Sequence, residues 1–199
     1  MSKTKDFEER YRKGDLPWDT GKHDKNLEQV IKEHSIPPCS VLELGAGAGS
    51  DAVWLARQGF KITAMDISPT AVEIARRKAA DAGVRIEFIV ADVLKDKIPP
   101  GPFDFVFDRG CFHIFDLPEE RSHLVEIIRN HLKPHGYWFS IIGSTDGAER
   151  EHGPPRRSVF DIASAVESRF EIISLKVIYL DTNLPEAPRG WACLMRRRK

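Results

Sequence analysis

The chain has 199 residues, 41% hydrophobic and 30% charged, which fits one α/β domain with enough apolar content for a full core. Lysine plus arginine equal aspartate plus glutamate at 30 each, so the basic excess that nucleic-acid binding needs is missing. Cys39, Cys111 and Cys193 stand far apart with no C-x-x-C, which points to neither a metal site nor a disulfide framework. No apolar run is long enough for a membrane span, and the N-terminus lacks a signal-peptide pattern. The expectation is a cytoplasmic protein with no metal, no nucleic-acid partner and no membrane partner.

In chain order, residues 1–23 are charged, with isolated aromatics at Phe7, Tyr11 and Trp18, and Pro17 and Gly21 mark a turn. Leu27, Val30 and Ile31 recur at helical spacing and predict a short helix over 24–34. A strand is expected over 39–44, a helix over 50–58 closed by Gly59, and a second strand over 60–65. Ser68 and Pro69 are a cap and first residue for a helix running to about 82. A third strand is expected over 85–91, and a fourth, apolar on both faces, over 103–108. Pro118 opens a helix whose apolar face carries Leu124, Ile127, Ile128 and Leu132, and the run 133–136 is expected to end it before a fifth strand over 137–142. A polar loop over 143–157 leads to a helical stretch over 158–170, then to strands over 170–180 and 190–195. Two late strands without a helix between them predict an antiparallel hairpin at a sheet edge. The basic run Arg196, Arg197, Arg198 and Lys199 is expected to be a solvated tail.

The stretch over 41–49 carries the chemistry. Gly45, Gly47 and Gly49 follow an apolar run and precede a helix, the first βα turn of a nucleotide-binding sheet. A dinucleotide fingerprint would place its third small residue at Ser50, whereas here the third glycine comes early at Gly49. Glu43 precedes the turn, and Asp66, Asp92 and Asp108 each end a later strand. Four carboxylates at successive strand ends suit a ligand carrying positive charge rather than a pyrophosphate. The ordered set, E-x-G-x-G-x-G followed by acids at the second and third strand ends, resembles the class I S-adenosylmethionine-dependent methyltransferases over about 39–143, nearest to the small-molecule, thiopurine methyltransferase-like branch.

The resemblance implies a Rossmann-like, doubly wound α/β sheet of seven strands in the order 3-2-1-4-5-7-6 with strand 7 antiparallel, and an N-terminal helical lid. It implies one domain: a lid over 1–36, a cofactor core over 37–143 and an acceptor side over 144–199. It implies S-adenosylmethionine as cofactor, leaving as S-adenosylhomocysteine, and a small-molecule acceptor, in a monomer or homodimer. Gly45, Ala46, Gly47 and Gly49 would floor the methionine part, Glu43 would face its ammonium, Asp66 would bind the ribose and Ile67 would cover the adenine. Asp92 and Val93 would hold the adenine edge, and Asp108 and Arg109 would line the methionine end. His113 and Asp108 are the catalytic candidates, with His113 as a general base near neutral pH. Trp18 would fold over the cofactor, while Asp19, His113 and Arg156 (or Arg157) would meet the acceptor. Thiol, halide, chalcogen oxyanion, amine and hydroxyl acceptors all fit. An NAD-dependent oxidoreductase and a non-catalytic S-adenosylmethionine-binding module are the alternatives.

Overall fold

The computed structural model describes residues 3–147 and 153–199; the middle of the expected polar loop over 143–157 lies outside them. The element order is α1 (Lys3–Lys13), α2 (Lys25–Glu33), β1 (Ser40–Leu44), α3 (Ser50–Arg57), β2 (Lys61–Asp66), α4 (Pro69–Asp81), β3 (Glu87–Val90) and β4 (Phe103–Arg109). A 3₁₀ turn (Phe112–Ile114) follows, then α5 (Pro118–His131), β5 (Leu132–Gly143), α6 (Val159–Val166), β6 (Phe170–Tyr179) and β7 (Arg189–Arg197). The seven strands follow the order β3-β2-β1-β4-β5-β7-β6. Strand β7 runs antiparallel to both β5 and β6, as the two consecutive late strands require. The described chain divides into two compact units, one ending at Pro99 and the other beginning at Pro100.

In the first unit, β1 pairs with β2 and β2 with β3, all parallel. Val41, Leu42, Leu44, Ala64 and Met65 are essentially unexposed, as parallel strands covered on both faces must be. Ser68 caps α4 by accepting from the Ala71 amide at 3.0 Å, with Pro69 at the first helical position. Asp24 caps α2 through the Asn26 amide at 2.8 Å, and its own amide donates to Asp51 of α3 at 2.6 Å. Residues 3–13, expected only as a charged segment with scattered aromatics, form a regular helix.

In the second unit, β5 begins five residues before the expected start at Tyr137. Phe103 pairs with Leu132 and Phe105 with Tyr137, so the expected terminators, His135 at φ 64° among them, form a bulge within the strand. The C-terminal basic run is not a solvated tail. Arg196 and Arg197 belong to β7; Arg196 pairs with Glu171 at 2.6 Å, and Arg197 donates to the Leu132 carbonyl. Arg198 donates to the Glu167 and Phe170 carbonyls at 3.0 and 3.2 Å. Arg196 thus links β7 to β6, while Arg197 and Arg198 reach the ends of α5 and α6.

Candidate active site

The glycine turn is built as the spacing predicts. Gly45, Gly47 and Gly49 all have positive φ, at 65°, 56° and 75°. A Cβ on Gly49 would lie 2.8 Å from the Ala75 Cβ, so the missing side chain lets α4 pack against the start of α3. A Cβ on Gly47 would lie 2.6 Å from Tyr11 Oη, so α1 packs close over the turn. Ala46 is half-buried and Ala48 buried, which keeps the floor small.

Asp66, at the end of β2, is buried. Its Oδ2 accepts from the Gly47 amide at 2.8 Å and its Oδ1 from the Ser68 amide at 2.9 Å. Burial pushes its carboxyl upward, while the three backbone N–H groups around it, from Ser68, Gly47 and Ile67, oppose that rise. A carboxylate has about four acceptor positions, so these backbone bonds leave capacity for about one ligand hydroxyl. Glu43 is buried within β1, and Ile67 is half-buried beside Asp66. Asp92 closes its own turn: it accepts from the Leu94 amide at 3.0 Å and from Lys95 Nζ at 2.7 Å, while its amide donates to Asp96 at 2.8 Å. Val93 beside it is buried.

The N-terminal segment is organised around Trp18. Its Nε1 donates to Tyr11 Oη at 3.3 Å, its ring meets Phe7 and Tyr11 edge-on, and the Arg10 guanidinium lies 4.2 Å from its centroid. Asp19 accepts from the Gly21 amide at 3.0 Å within the adjoining turn. Two residues that sequence reasoning passed over join this group. Tyr11 was read only as an isolated aromatic, and Glu8 not at all. The helical spacing of Phe7, Glu8 and Tyr11 was the available signal.

In the second unit, Asp108 is fully buried. Its Oδ1 accepts from the Phe112 amide at 3.0 Å and its Oδ2 from Trp138 Nε1 at 2.8 Å. Desolvation pushes its carboxyl up to about 6, against the pull of those two bonds. Asp108 therefore folds the chain after β4 back onto β5. Arg109 is half-buried at the end of β4.

His113, expected as a general base, stands in the 3₁₀ turn after β4. His113 is buried, and its Nδ1 accepts from the Gly143 amide at 2.7 Å, so in the neutral ring the hydrogen sits on Nε2. Burial, with the Arg157 charge added, pushes the imidazole down to about 3. Protonating Nδ1 would set an N–H against an N–H, so the neutral His113 ring ties the 3₁₀ turn to β5 as an acceptor. Arg156, expected to meet the acceptor, gives its Nε to the Ser144 carbonyl at 2.9 Å and its Nη2 to the Thr145 carbonyl. Arg157 donates to the Phe115 carbonyl at 3.0 Å and to Asp116 at 2.7 Å. The buried Arg121 also donates to the Phe115 carbonyl, at 2.9 Å, and reaches Asp161 at 3.3 Å. Cys111 is buried as a packing residue.

Residues 41–136 match the model of a family described as a methyltransferase domain. The chain is 29% identical over 187 residues to a probable thiol methyltransferase 2 of Arabidopsis thaliana, covering 92% of this chain and 79% of that protein. It is 28% identical over 116 residues to a ubiquinone biosynthesis O-methyltransferase of Xylella fastidiosa, covering 57% of this chain and only 45% of that protein. Its fold superposes, with TM-score 0.79 and 20% identity, on the Burkholderia thailandensis 1,6-didemethyltoxoflavin-N1-methyltransferase, solved with 1,6-didemethyltoxoflavin and S-adenosylhomocysteine bound; 98% of this chain and 87% of that one are covered.

Proposed function

Since this chain is a class I S-adenosylmethionine-dependent methyltransferase of the small-molecule type, we propose that the acceptor it methylates is a thiol carried by a small molecule. S-adenosylmethionine is its cofactor, and when bound it supplies an electrophilic methyl group that needs no further activation. The residues present fit it. The turn carries three glycines at positive φ with Gly45 exposed, and the buried acids Glu43 and Asp66 suit a cationic nucleoside better than a phosphorylated one. In this reading Gly45, Ala46, Gly47 and Gly49 form the floor and Glu43 serves the cationic end. Asp66 takes a ribose hydroxyl on its remaining acceptor position. Ile67, Asp92 and Val93 border the adenine, and Trp18 belongs to the covering segment. Residues 37–143 act as the cofactor core, with the acceptor side over 144–199.

The protein's contribution is then alignment and exclusion of water, which can supply about 7–11 kcal/mol of barrier lowering. The observation that carries the choice of acceptor is the Gly143 amide on His113 Nδ1. It occupies the basic nitrogen of the neutral imidazole, and Asp108 is committed to Phe112 and Trp138. An acceptor that supplies its own nucleophile suits such a site. A thiol, with a pKa near 8.5, is a few per cent thiolate at neutral pH without help. The Arabidopsis relative named for thiol methyl transfer, aligned over most of this chain, supports the same reading.

The test is transfer of labelled methyl from S-adenosylmethionine to a panel of small thiols, phenols and amines. Thiols should be labelled, with kcat/KM rising with pH along each thiol's own ionisation. Label appearing only on oxygen or nitrogen would overturn the thiol assignment.

A further inference from the structure

Glu8 is committed to the far side of the glycine turn. Its Oε2 accepts from Ser68 Oγ at 2.6 Å and from the Thr70 amide at 3.2 Å, and its Oε1 from Thr70 Oγ1 at 2.7 Å. Arg12 Nε, one turn along α1, adds a fourth bond to Oε1 at 2.7 Å. These bonds hold the carboxyl down at about 2, against the desolvation that would raise it. The carboxylate thus sits at the N-terminus of α4, where unsatisfied amides and the helix dipole favour negative charge.

The same bonds reach the cofactor floor. Ser68 donates its hydroxyl to Glu8 and its amide to Asp66, and the other oxygen of Asp66 holds the Gly47 amide. Tyr11, three residues after Glu8 and on the same helix face, closes the ring with its hydroxyl against Gly47. Trp18 Nε1 donates to that hydroxyl.

We propose that Glu8 is a positioning residue for cofactor binding: it latches α1 onto the start of α4 and so holds Tyr11 and Trp18 over the glycine turn. The proposal rests on the methyltransferase reading of that turn. A helix that merely packs would change stability alike with and without cofactor. A latch changes how the cofactor is held, and leaves turnover of the saturated enzyme almost untouched.

The experiment compares wild type, Glu8→Ala, Glu8→Gln and Thr70→Val, which loosens the latch from the other side, with Glu9→Gln as a control on the exposed face of α1. S-adenosylhomocysteine affinity is measured by calorimetry, KM and kcat by product assay, and amide hydrogen exchange over residues 6–13 with and without S-adenosylhomocysteine. For Glu8→Ala the expected result is an affinity loss and a KM rise of about tenfold, the factor carried by one charge-assisted bond, with kcat within about twofold. Glu8→Gln and Thr70→Val should show smaller shifts in the same direction. Bound S-adenosylhomocysteine should slow exchange over residues 6–13 in wild type and Glu9→Gln, and lose that effect in Glu8→Ala. Unchanged affinity in a folded Glu8→Ala, or ligand protection over 6–13 equal to wild type, would overturn the latch. Failure of wild type itself to bind S-adenosylhomocysteine would instead sink the reading of the turn.

Discussion

Asp66→Ala is expected to weaken S-adenosylhomocysteine binding by about 10–10²-fold through the lost ribose bond, the largest loss from any single side chain in the site. A hydroxyl bond to a buried carboxylate is worth about 1.5–3 kcal/mol, and each 1.4 kcal/mol is a factor of ten. The loss also has an indirect part. Asp66 ties the Gly47 amide to the Ser68 amide, so its removal slackens the turn that shapes the floor. Calorimetric titration of the variant, with a thermal melt to establish that it is folded, measures the effect. An affinity within about threefold of wild type would move the ribose site away from the end of β2.

The second large effect is on stability against pH. His113, pushed down to about 3 by burial and the Arg157 charge, takes up its proton in the unfolded chain below about 6.5 but not in the folded one. Its contribution is therefore present above pH 6.5 and is lost as pH falls toward 3. Asp108, pushed up to about 6 by desolvation, has the opposite sign: the folded chain binds the proton first. Its contribution is full below the ordinary carboxylate range and is lost as pH rises through 6. Between pH 6 and 4 the two slopes, each about 1.4 kcal/mol per pH unit, offset one another. Asp108→Asn should uncover the histidine, so that stability drops between pH 6 and 4 by about 3 kcal/mol more than in wild type. His113→Gln should do the reverse. Urea unfolding across that range reads both, and variant curves parallel to wild type would show that neither group titrates as its burial dictates.

The glycine turn and the strands around it were legible because their signals are local. An apolar run, glycines at alternate positions and an acid at a strand end lie within a few residues of one another, and Ser68 with Pro69 marks a helix start by cap chemistry alone. His113 was not legible, because the group that sets its role is the Gly143 amide, thirty residues on. Nothing near position 113 records which ring nitrogen is occupied. The partners of Arg156 were hidden for the same reason, being carbonyls eleven and twelve residues earlier. The start of β5 was misplaced because Pro134 and Gly136 carry the composition of a terminator, and only pairing with Phe103 and Phe105 turns them into a bulge. Arg196 and Arg197 looked like a tail because charge was read without its partners across the sheet.

The charge logic of the site is tested most directly by calorimetric titration of the wild-type protein with S-adenosylhomocysteine and, separately, with NAD under the same buffer and salt. A cradle of bare backbone flanked by buried Glu43 and Asp66 predicts saturable binding of S-adenosylhomocysteine, lost in Asp66→Ala, and no heat of binding with NAD. Saturable binding of NAD with S-adenosylhomocysteine silent would contradict it.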